Sequence, residues 1–515
     1  MNGAETLVHT LVEQGVDLCF ANPGTSEMHF LRALENPRMR SVLCLFEGIC
    51  TGAADGYYRM KDRPASTLLH LGPGLANGLA NIHNAKRASS GMLNIVGEHS
   101  AAHLKYDPPL MSDIEGLARP LSHWIRRVES PAAMAWDAAS AVAKASEVPG
   151  QIATLILPGD TAWQEAGAPV VPRQVAAAPK APAAARVEHV ARILKSGEPA
   201  LIILAGRATR GRALELAGKI KAATGCRLGT QFFTARIERG AGRVPLERIP
   251  YAVGQATEFL ANFKHIITVE TTEPIAFFSY PGKPSLLKAE GTSVHTLIES
   301  GEDSIEGLDM LVEALGAAAT PAVLQMPGDA TPPTGALNPG SIARALAAAL
   351  PEDCILVDES LTTGRETMGL TVAAARHDLI NNMGGSIGYG TPVAVGAALA
   401  CPDRRVFCMV GDGSAMYTIQ SLWTMAREGL NVTTIIFANN SYAILKAEYA
   451  NMGAGAPGQQ ALNMIDIDRP SIDWRAMATS MGVPAVSVDT AEGFHKAMAD
   501  SVHAQGPLLI EVRLY

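Results

Sequence analysis

The 515-residue chain is poor in cysteine. Seven are scattered along it (Cys19, Cys44, Cys50, Cys226, Cys354, Cys401 and Cys408), with no CxxC pair. That excludes a disulfide framework or a zinc finger, and most of the seven lie in apolar, strand-like runs where buried free thiols are expected. No apolar run reaches the roughly 18 residues of a membrane span, so a membrane partner is not expected. Basic residues neither gather in a block nor interleave with aromatics, and the formal net charge is −8, which argues against a nucleic-acid surface. A P-loop and an HExxH motif are missing too. The nearest approach to GxGxxG, Gly72-Pro73-Gly74-Leu75-Ala76-Asn77-Gly78, has its third glycine one position late for a dinucleotide site. The opening MNGAETLVHTLVEQG has acids in a helical pattern rather than the layout of a signal peptide, so a cytoplasmic location is the expectation.

What is present is 48% apolar and 18% charged residues, the balance of a globular chain with ample core. Two Ala/Pro-rich stretches with little periodicity, 166–185 and 321–338, read as linkers. They delimit three blocks, 1–165, 186–320 and 339–515, each of domain size. Short β-branched runs alternate with helical patterns in every block: VDLCFA, SVLCLF, STLLHL and LNIVG in the first, ALIILAG and HIITVET in the second, CILVD, RVFCMVG, VTTIIFAN and PLLIEVRL in the third. The expected fold class is therefore α/β, with three domains, each a mostly parallel sheet with helices on both faces. Such sheets bind ligands at the carboxyl ends of their strands.

In the third block a buried strand runs into Gly411-Asp412-Gly413-Ser414, which opens a helix, and a second strand ends at Asn439-Asn440. Glycines allow close approach to an anion, and a helix start offers free N–H groups to phosphate. Asp412 adds a hard oxygen ligand and Asn439 a neutral one, a set suited to Mg²⁺ shared with a diphosphate. In the first block a single acid, Glu47, interrupts the apolar junction of SVLCLFEGICTGAADGY, where alone it could simply favour the helix dipole. His70 ends the strand of STLLHLGPG, and a neutral imidazole near pH 7 both gives and accepts a proton.

The unit from GDG to NN resembles the diphosphate-binding signature of thiamine-diphosphate enzymes, and the likeness extends over most of the chain towards the acetolactate synthase and benzoylformate decarboxylase group. The resemblance implies thiamine diphosphate and Mg²⁺ as cofactors. It implies that the metal is held by Asp412, Asn439 (with Asn440 as the alternative) and the Ser441 carbonyl, with Gly411, Gly413, Ser414, Tyr442 and Ala443 around the cofactor. Glu47 takes the family role of hydrogen-bonding the aminopyrimidine ring, and burial should keep its proton available. His70 matches a proton relay and Asn77 a cofactor contact. Pro23 and Gly24 match the NPG loop, whose hydroxyl is Thr25, with Ser26 as a near alternative. In NNMGGSIGYG, Ile387 matches the wedge under the cofactor and Gly385 the carbonyl accepting from its amino group. Leu361, through its backbone, and Thr362 match a loop touching the diphosphate.

The implied function is decarboxylation of a 2-oxo acid, followed by protonation or by ligation to a second carbonyl from an aldehyde or ketone. Alternatives are a 2-hydroxyacyl thioester lyase or a degenerate, cofactor-binding regulatory subunit. Family members pair Glu47 of one chain with Asp412 of another, implying a homodimer at least, with a homotetramer common. Three departures stand out. Ser279, in EPIAFFSYPGKPS, replaces a second catalytic histidine. Lys446 and Glu448 stand where aromatic pocket residues are common, suggesting a more polar substrate. The middle block matches no flavin-binding feature, leaving FAD without support.

Overall fold

The computed structural model describes residues 1–167 and 174–514. The first expected linker therefore falls partly on residues 168–173, outside the described residues; at its far end the helix Ala184–Lys195 already begins.

The first sheet has six parallel strands: β1 (Leu18–Asn22), β2 (Arg40–Leu43), β3 (Ala65–Leu69), β4 (Met92–Glu98), β5 (Trp124–Arg127) and β6 (Ile152–Pro158), in the order β2-β1-β3-β4-β6-β5. β3, β4 and β6 are buried at every residue, as strands covered by helices on both faces must be. The middle stretch supplies β7 (Ala200–Leu204), β8 (Arg227–Thr230), β9 (Ile237–Arg239), β10 (Glu247–Arg248), β11 (His265–Val269) and β12 (Ser293–Ile298). Five of these form a parallel sheet, β10-β8-β7-β11-β12. The last part adds β13 (Cys354–Glu359), β14 (His377–Asn381), β15 (Val406–Gly411), β16 (Val432–Ala438), β17 (Ala485–Val488) and β18 (Leu508–Arg513). Its sheet runs β17-β18-β16-β15-β13-β14-β9, so β9 leaves the middle sheet and pairs antiparallel with β14, Glu238 opposite Asp378. Three mostly parallel sheets flanked by helices match the expected class; the crossing of β9 was not anticipated.

The first and last sheets meet through two helices, Glu47–Lys61 and Gly390–Ala400. A Cβ on Gly56 would stand 2.1 Å from the Val393 carbonyl oxygen, and one on Gly396 1.9 Å from that of Ala53. Only glycine permits so close a backbone approach. One turn apart on the first of these helices, Asp55 and Arg59 form a buried bidentate pair, both contacts at 2.7 Å. Arg59 Nη1 also donates to the Ala235 carbonyl at 3.1 Å and the Asn381 carbonyl at 2.6 Å. One guanidinium thus ties all three parts of the chain. Six of the seven cysteines are buried, none in a disulfide, and no described helix is long and apolar enough to cross a membrane.

Candidate active site

β15 and β16 lie side by side, Gly411 beside Phe437, so the loops after both strands open at one place. Asp412 begins a short helix, Asp412–Ala415, and its carboxylate is buried. Oδ1 accepts the Gly413 N–H at 2.8 Å; Oδ2 accepts those of Asn439 and Asn440 at 2.9 and 2.6 Å. Burial still lifts its pKa above the ordinary aspartate value, against the pull of these N–H groups. The two asparagines have different parts. Asn440 is left-handed (φ 56°), a conformation asparagine tolerates better than most residues, and its carbonyl accepts the Ile467 N–H at 2.8 Å. Asn439 Oδ1 accepts the Ser441 N–H at 3.0 Å, which fixes the amide. The Ser441 hydroxyl donates to Asp466 at 2.8 Å, and the Tyr442 ring fills the space a Cβ on Gly413 would need. Ser414 is buried, and Ala443 starts the helix Ala443–Asn451. A Cβ on Gly411 would meet nothing within 4 Å, so the ground above this turn is open. Among the described residues, no cluster of three or more His, Cys, Asp or Glu could hold a metal. One carboxylate with amide and carbonyl oxygens is instead the donor set of a hard cation that shares phosphate ligands.

The loops after β2, β1 and β3, neighbours in the first sheet, carry the other motifs. Glu47 is the first residue of its helix, 6% exposed, and Oε2 accepts from Asn77 Nδ2 at 2.9 Å. After β1, Pro23 and Gly24 turn the chain; Thr25 is exposed, Ser26 half-buried and Glu27 buried. Glu27 was not singled out from sequence, yet it organises this corner. Its Oε2 accepts the Gly24 N–H at 2.8 Å and lies 2.7 Å from His70 Nδ1. With the carboxylate ionised, Nδ1–H donates and Nε2 is left as the ring's acceptor. Burial raises the Glu27 pKa, His70 pulling it back. A Cβ on Gly24 would fall 2.2 Å from His70 Nδ1, so this glycine makes room for the imidazole. The available signal was that Glu27 is the only acid between Asp17 and Glu35.

The loop between β14 and the helix Gly390–Ala400 holds Gly385 and Ile387. Asn382 Oδ1 accepts the N–H groups of Gly384 and Gly385 at 3.1 and 3.0 Å, and its Nδ2 donates to the Ser386 carbonyl at 2.6 Å. This curls the chain around Gly385 (φ 76°), while Ile387 is half-buried. From the first block, Asn84 pairs with Ser386 through both its amide atoms, at 2.9 and 3.2 Å. Asn81 Nδ2 reaches the carbonyls of Gly48 at 2.8 Å and Gly388 at 3.2 Å. The residue after Glu47 and the residue after Ile387 are thus joined by one amide. Glu359, buried, accepts the N–H groups of Gly388, Tyr389 and Gly390, and burial raises its pKa to about 7. It straps the Leu361–Thr362 turn to the same loop; Leu361 is left-handed (φ 47°) and the Thr362 carbonyl accepts from Arg365 Nε at 2.9 Å. Leu71 (φ 50°), beside His70, is left-handed too. Non-glycine residues held in this region cost about 1–3 kcal/mol each and gather at functional sites.

The description "Thiamine pyrophosphate enzyme, N-terminal TPP binding domain" matches residues 1–117, and the C-terminal TPP binding domain of the same family matches residues 363–512. A Mycobacterium tuberculosis protein bearing the provisional name acetolactate synthase large subunit IlvX is 49% identical over 99% of both chains. Benzoylformate decarboxylase of Pseudomonas aeruginosa is 28% identical over 98% of this chain and 97% of its own. Among solved structures, the thiamine diphosphate-dependent 4-hydroxybenzoylformate decarboxylase of Rhodococcus jostii RHA1 superposes with a TM-score of 0.87 at 23% identity, covering 100% of this chain and 99% of that one. With Glu47, His70, Asp412 and Asn439 inside the two matched regions, the chain belongs to the thiamine pyrophosphate enzymes.

Proposed function

We propose that this enzyme decarboxylates a 2-oxo acid, using thiamine diphosphate and Mg²⁺, and then protonates the product carbon or joins it to a second carbonyl. The observation that carries this reading is the corner where Glu47, with Asn77, and His70, with Glu27, stand at the same edge of the first sheet. Asp412, Asn439 and the Ser441 carbonyl would hold Mg²⁺; Asn440 is committed to its left-handed turn, which favours Asn439. Gly411, Gly413, Ser414, Leu361, Thr362, Tyr442 and Ala443 would surround the diphosphate. Pro23, Gly24 and Asn77 would border the ring that Glu47 hydrogen-bonds. The Gly385 carbonyl and the Ile387 side chain would hold the cofactor bent. When bound, thiamine diphosphate supplies the nucleophilic carbon and the electron sink for loss of CO₂. Glu47 would hydrogen-bond the aminopyrimidine, and His70, oriented by Glu27, would give or take a proton on the substrate side; Thr25 or Ser26 would offer a hydroxyl there.

FAD finds no support. At the carboxyl ends of β7 and β11, where such a sheet would take a nucleotide, the Glu270 carboxylate accepts the Arg207 N–H and the Ser304 hydroxyl. A Cβ on Gly206 would stand 2.2 Å from it, so the half-buried Glu270 side chain occupies the ground a diphosphate would need. We further propose a cytoplasmic homodimer as the minimum active unit, assembling to a homotetramer. The test is CO₂ release from a panel of 2-oxo acids by the wild type and Glu47→Gln. Turnover should vanish in the variant while calorimetry still detects thiamine diphosphate binding; normal turnover by Glu47→Gln would refute the assignment.

A further inference from the structure

Glu359, the last residue of β13, is 3% exposed and sits against the start of the helix Gly390–Ala400. Its Oε1 accepts the Gly388 N–H at 2.9 Å and its Oε2 the Gly390 N–H at 2.7 Å, while the Tyr389 N–H is shared between them at 3.2 and 3.1 Å. A carboxylate at a helix start is favoured by the free N–H groups and by the helix dipole. This cap also holds something beyond its helix. Gly388 directly follows Ile387, the residue expected to press under the cofactor. At φ 87° Gly388 has no side chain to lock its backbone, so its neighbours must do so. Its carbonyl accepts from Asn81 Nδ2 at 3.2 Å and from the Thr418 hydroxyl at 3.0 Å. The peptides on both sides of Gly388 are thus fixed, one by Glu359 and the other by Asn81 and Thr418.

Ionisation decides how firm the Glu359 grip is. Burial favours the protonated acid and the three N–H groups favour the carboxylate, a balance that places its titration at about 7. The groups around it are Asp358 on its own strand, Cys408 on β15 and the Tyr389 phenol, which Arg59 Nη1 meets at 3.2 Å beside Asp55. Burial keeps the Cys408 thiol and the Tyr389 phenol protonated, and Asp358 adds to the upward pull on Glu359. Hydrogen bonds to a charged acceptor are roughly twice as strong as those to a neutral one. The loop is therefore held firmly above about pH 7 and loosely below it.

We propose that Glu359 is a positioning residue for the reaction: its carboxylate fixes the backbone of residues 388–390 so that Ile387 presses the cofactor into its reactive bend, an inference that rests on the thiamine diphosphate reading above. Amide hydrogen exchange of the cofactor-free enzyme reads the grip directly. Corrected for intrinsic rates, protection at residues 388–390 should rise by about tenfold or more as pH passes upward through 7. In Glu359→Gln, whose amide turns an NH₂ towards one of the N–H groups, protection should be low and flat; the wild-type profile decides even where the variant does not fold. The contribution of Glu359 to global stability runs the other way. Its folded pKa of about 7 lies above the ordinary 4.5, so that contribution is complete below pH 4.5 and lost as pH rises through 7. Protection that falls with this global trend marks a purely structural cap and overturns the proposal. In the loaded enzyme, deuterium exchange at the thiazolium C2 reports the bend without any substrate. It should slow by at least about tenfold in Glu359→Gln, with cofactor binding still detectable in calorimetry, and Glu359→Asp should recover part of the rate. Ile387→Ala should slow it too, and the double variant little further, because the two residues act as one unit. Unchanged C2 exchange in Glu359→Gln, or additive losses in the double variant, overturns the proposal. A wild type that binds thiamine diphosphate but exchanges C2 no faster than the free cofactor sinks the bent-cofactor reading itself and this inference with it.

Discussion

Gly24→Ala is the sharpest probe of how the first block builds its part of the site. At φ −129° the backbone of Gly24 is open to any residue, so alanine meets no conformational penalty there. What it meets is the imidazole: the new Cβ would lie 2.2, 2.3 and 2.4 Å from His70 Nδ1, Cε1 and Cγ. His70 is 25% exposed and can swing outward, so the clash should be relieved by the ring rather than by unfolding. Clearing it requires a displacement of about 1 Å, enough misplacement of a reacting group to lower turnover by about 100-fold. The movement also breaks the 2.7 Å contact with Glu27 Oε2, leaving that buried carboxylate with the Gly24 N–H alone. Steady-state CO₂ release, thiamine diphosphate titration and a denaturant melt together measure the outcome. The expected result is a kcat reduced by about two orders of magnitude, cofactor binding still detectable and at most about 1–3 kcal/mol lost in stability. A Gly24→Ala enzyme with near-normal kcat would show that His70 does not act from this position.

Asp412→Ala should abolish Mg²⁺-dependent thiamine diphosphate binding in calorimetry and leave three backbone N–H groups without their acceptor; unchanged affinity would refute the metal assignment. Arg59→Met should cost about 3–5 kcal/mol in equilibrium unfolding, because Asp55 is left as an uncompensated buried charge; a loss below 1 kcal/mol would show that the pair is not holding the three parts together. His377 is buried, and burial lowers its pKa from 6.5 to about 4, so the folded chain holds its ring neutral. Stability should be complete above pH 6.5 and fall by about 3 kcal/mol as pH drops towards 4, because the unfolded chain takes up the proton first. His377→Phe should flatten that part of the pH profile, and an unaltered acid limb would contradict the burial account.

Sequence spacing carried the parts of the site that depend on residue type at a strand end. The strand-GDG-helix turn and the paired asparagines were legible because both follow buried runs, and those strands prove to be neighbours. Glu47 was legible as a lone acid in an apolar junction. Glu27 was not, because its meaning lies in a contact with a histidine 43 residues away, set by β1 and β3 pairing. The same holds for Asn81 and Asn84, whose amides hold together loops about 300 residues apart in sequence but adjacent in space. Short or partly exposed strands such as β5, β10 and β17 carry too few buried residues to declare themselves. Their pairing comes from the sheet around them rather than from local pattern.

The crossing of β9 has a consequence for how the chain is made. The ribosome releases β9 about 140 residues before β14, the strand it pairs with, so at ordinary elongation rates it waits on the order of ten seconds for its partner. Until β14 emerges, Glu238 and Arg239 have no ladder to join, and Arg236 has no Asp378 to bind. A polypeptide starting at residue 339 would meet the converse problem. It would present β14 as a bare sheet margin, and such margins recruit other chains. Synthesis in one piece, with the middle segment already in place, is therefore part of what keeps the third sheet from associating with copies of itself.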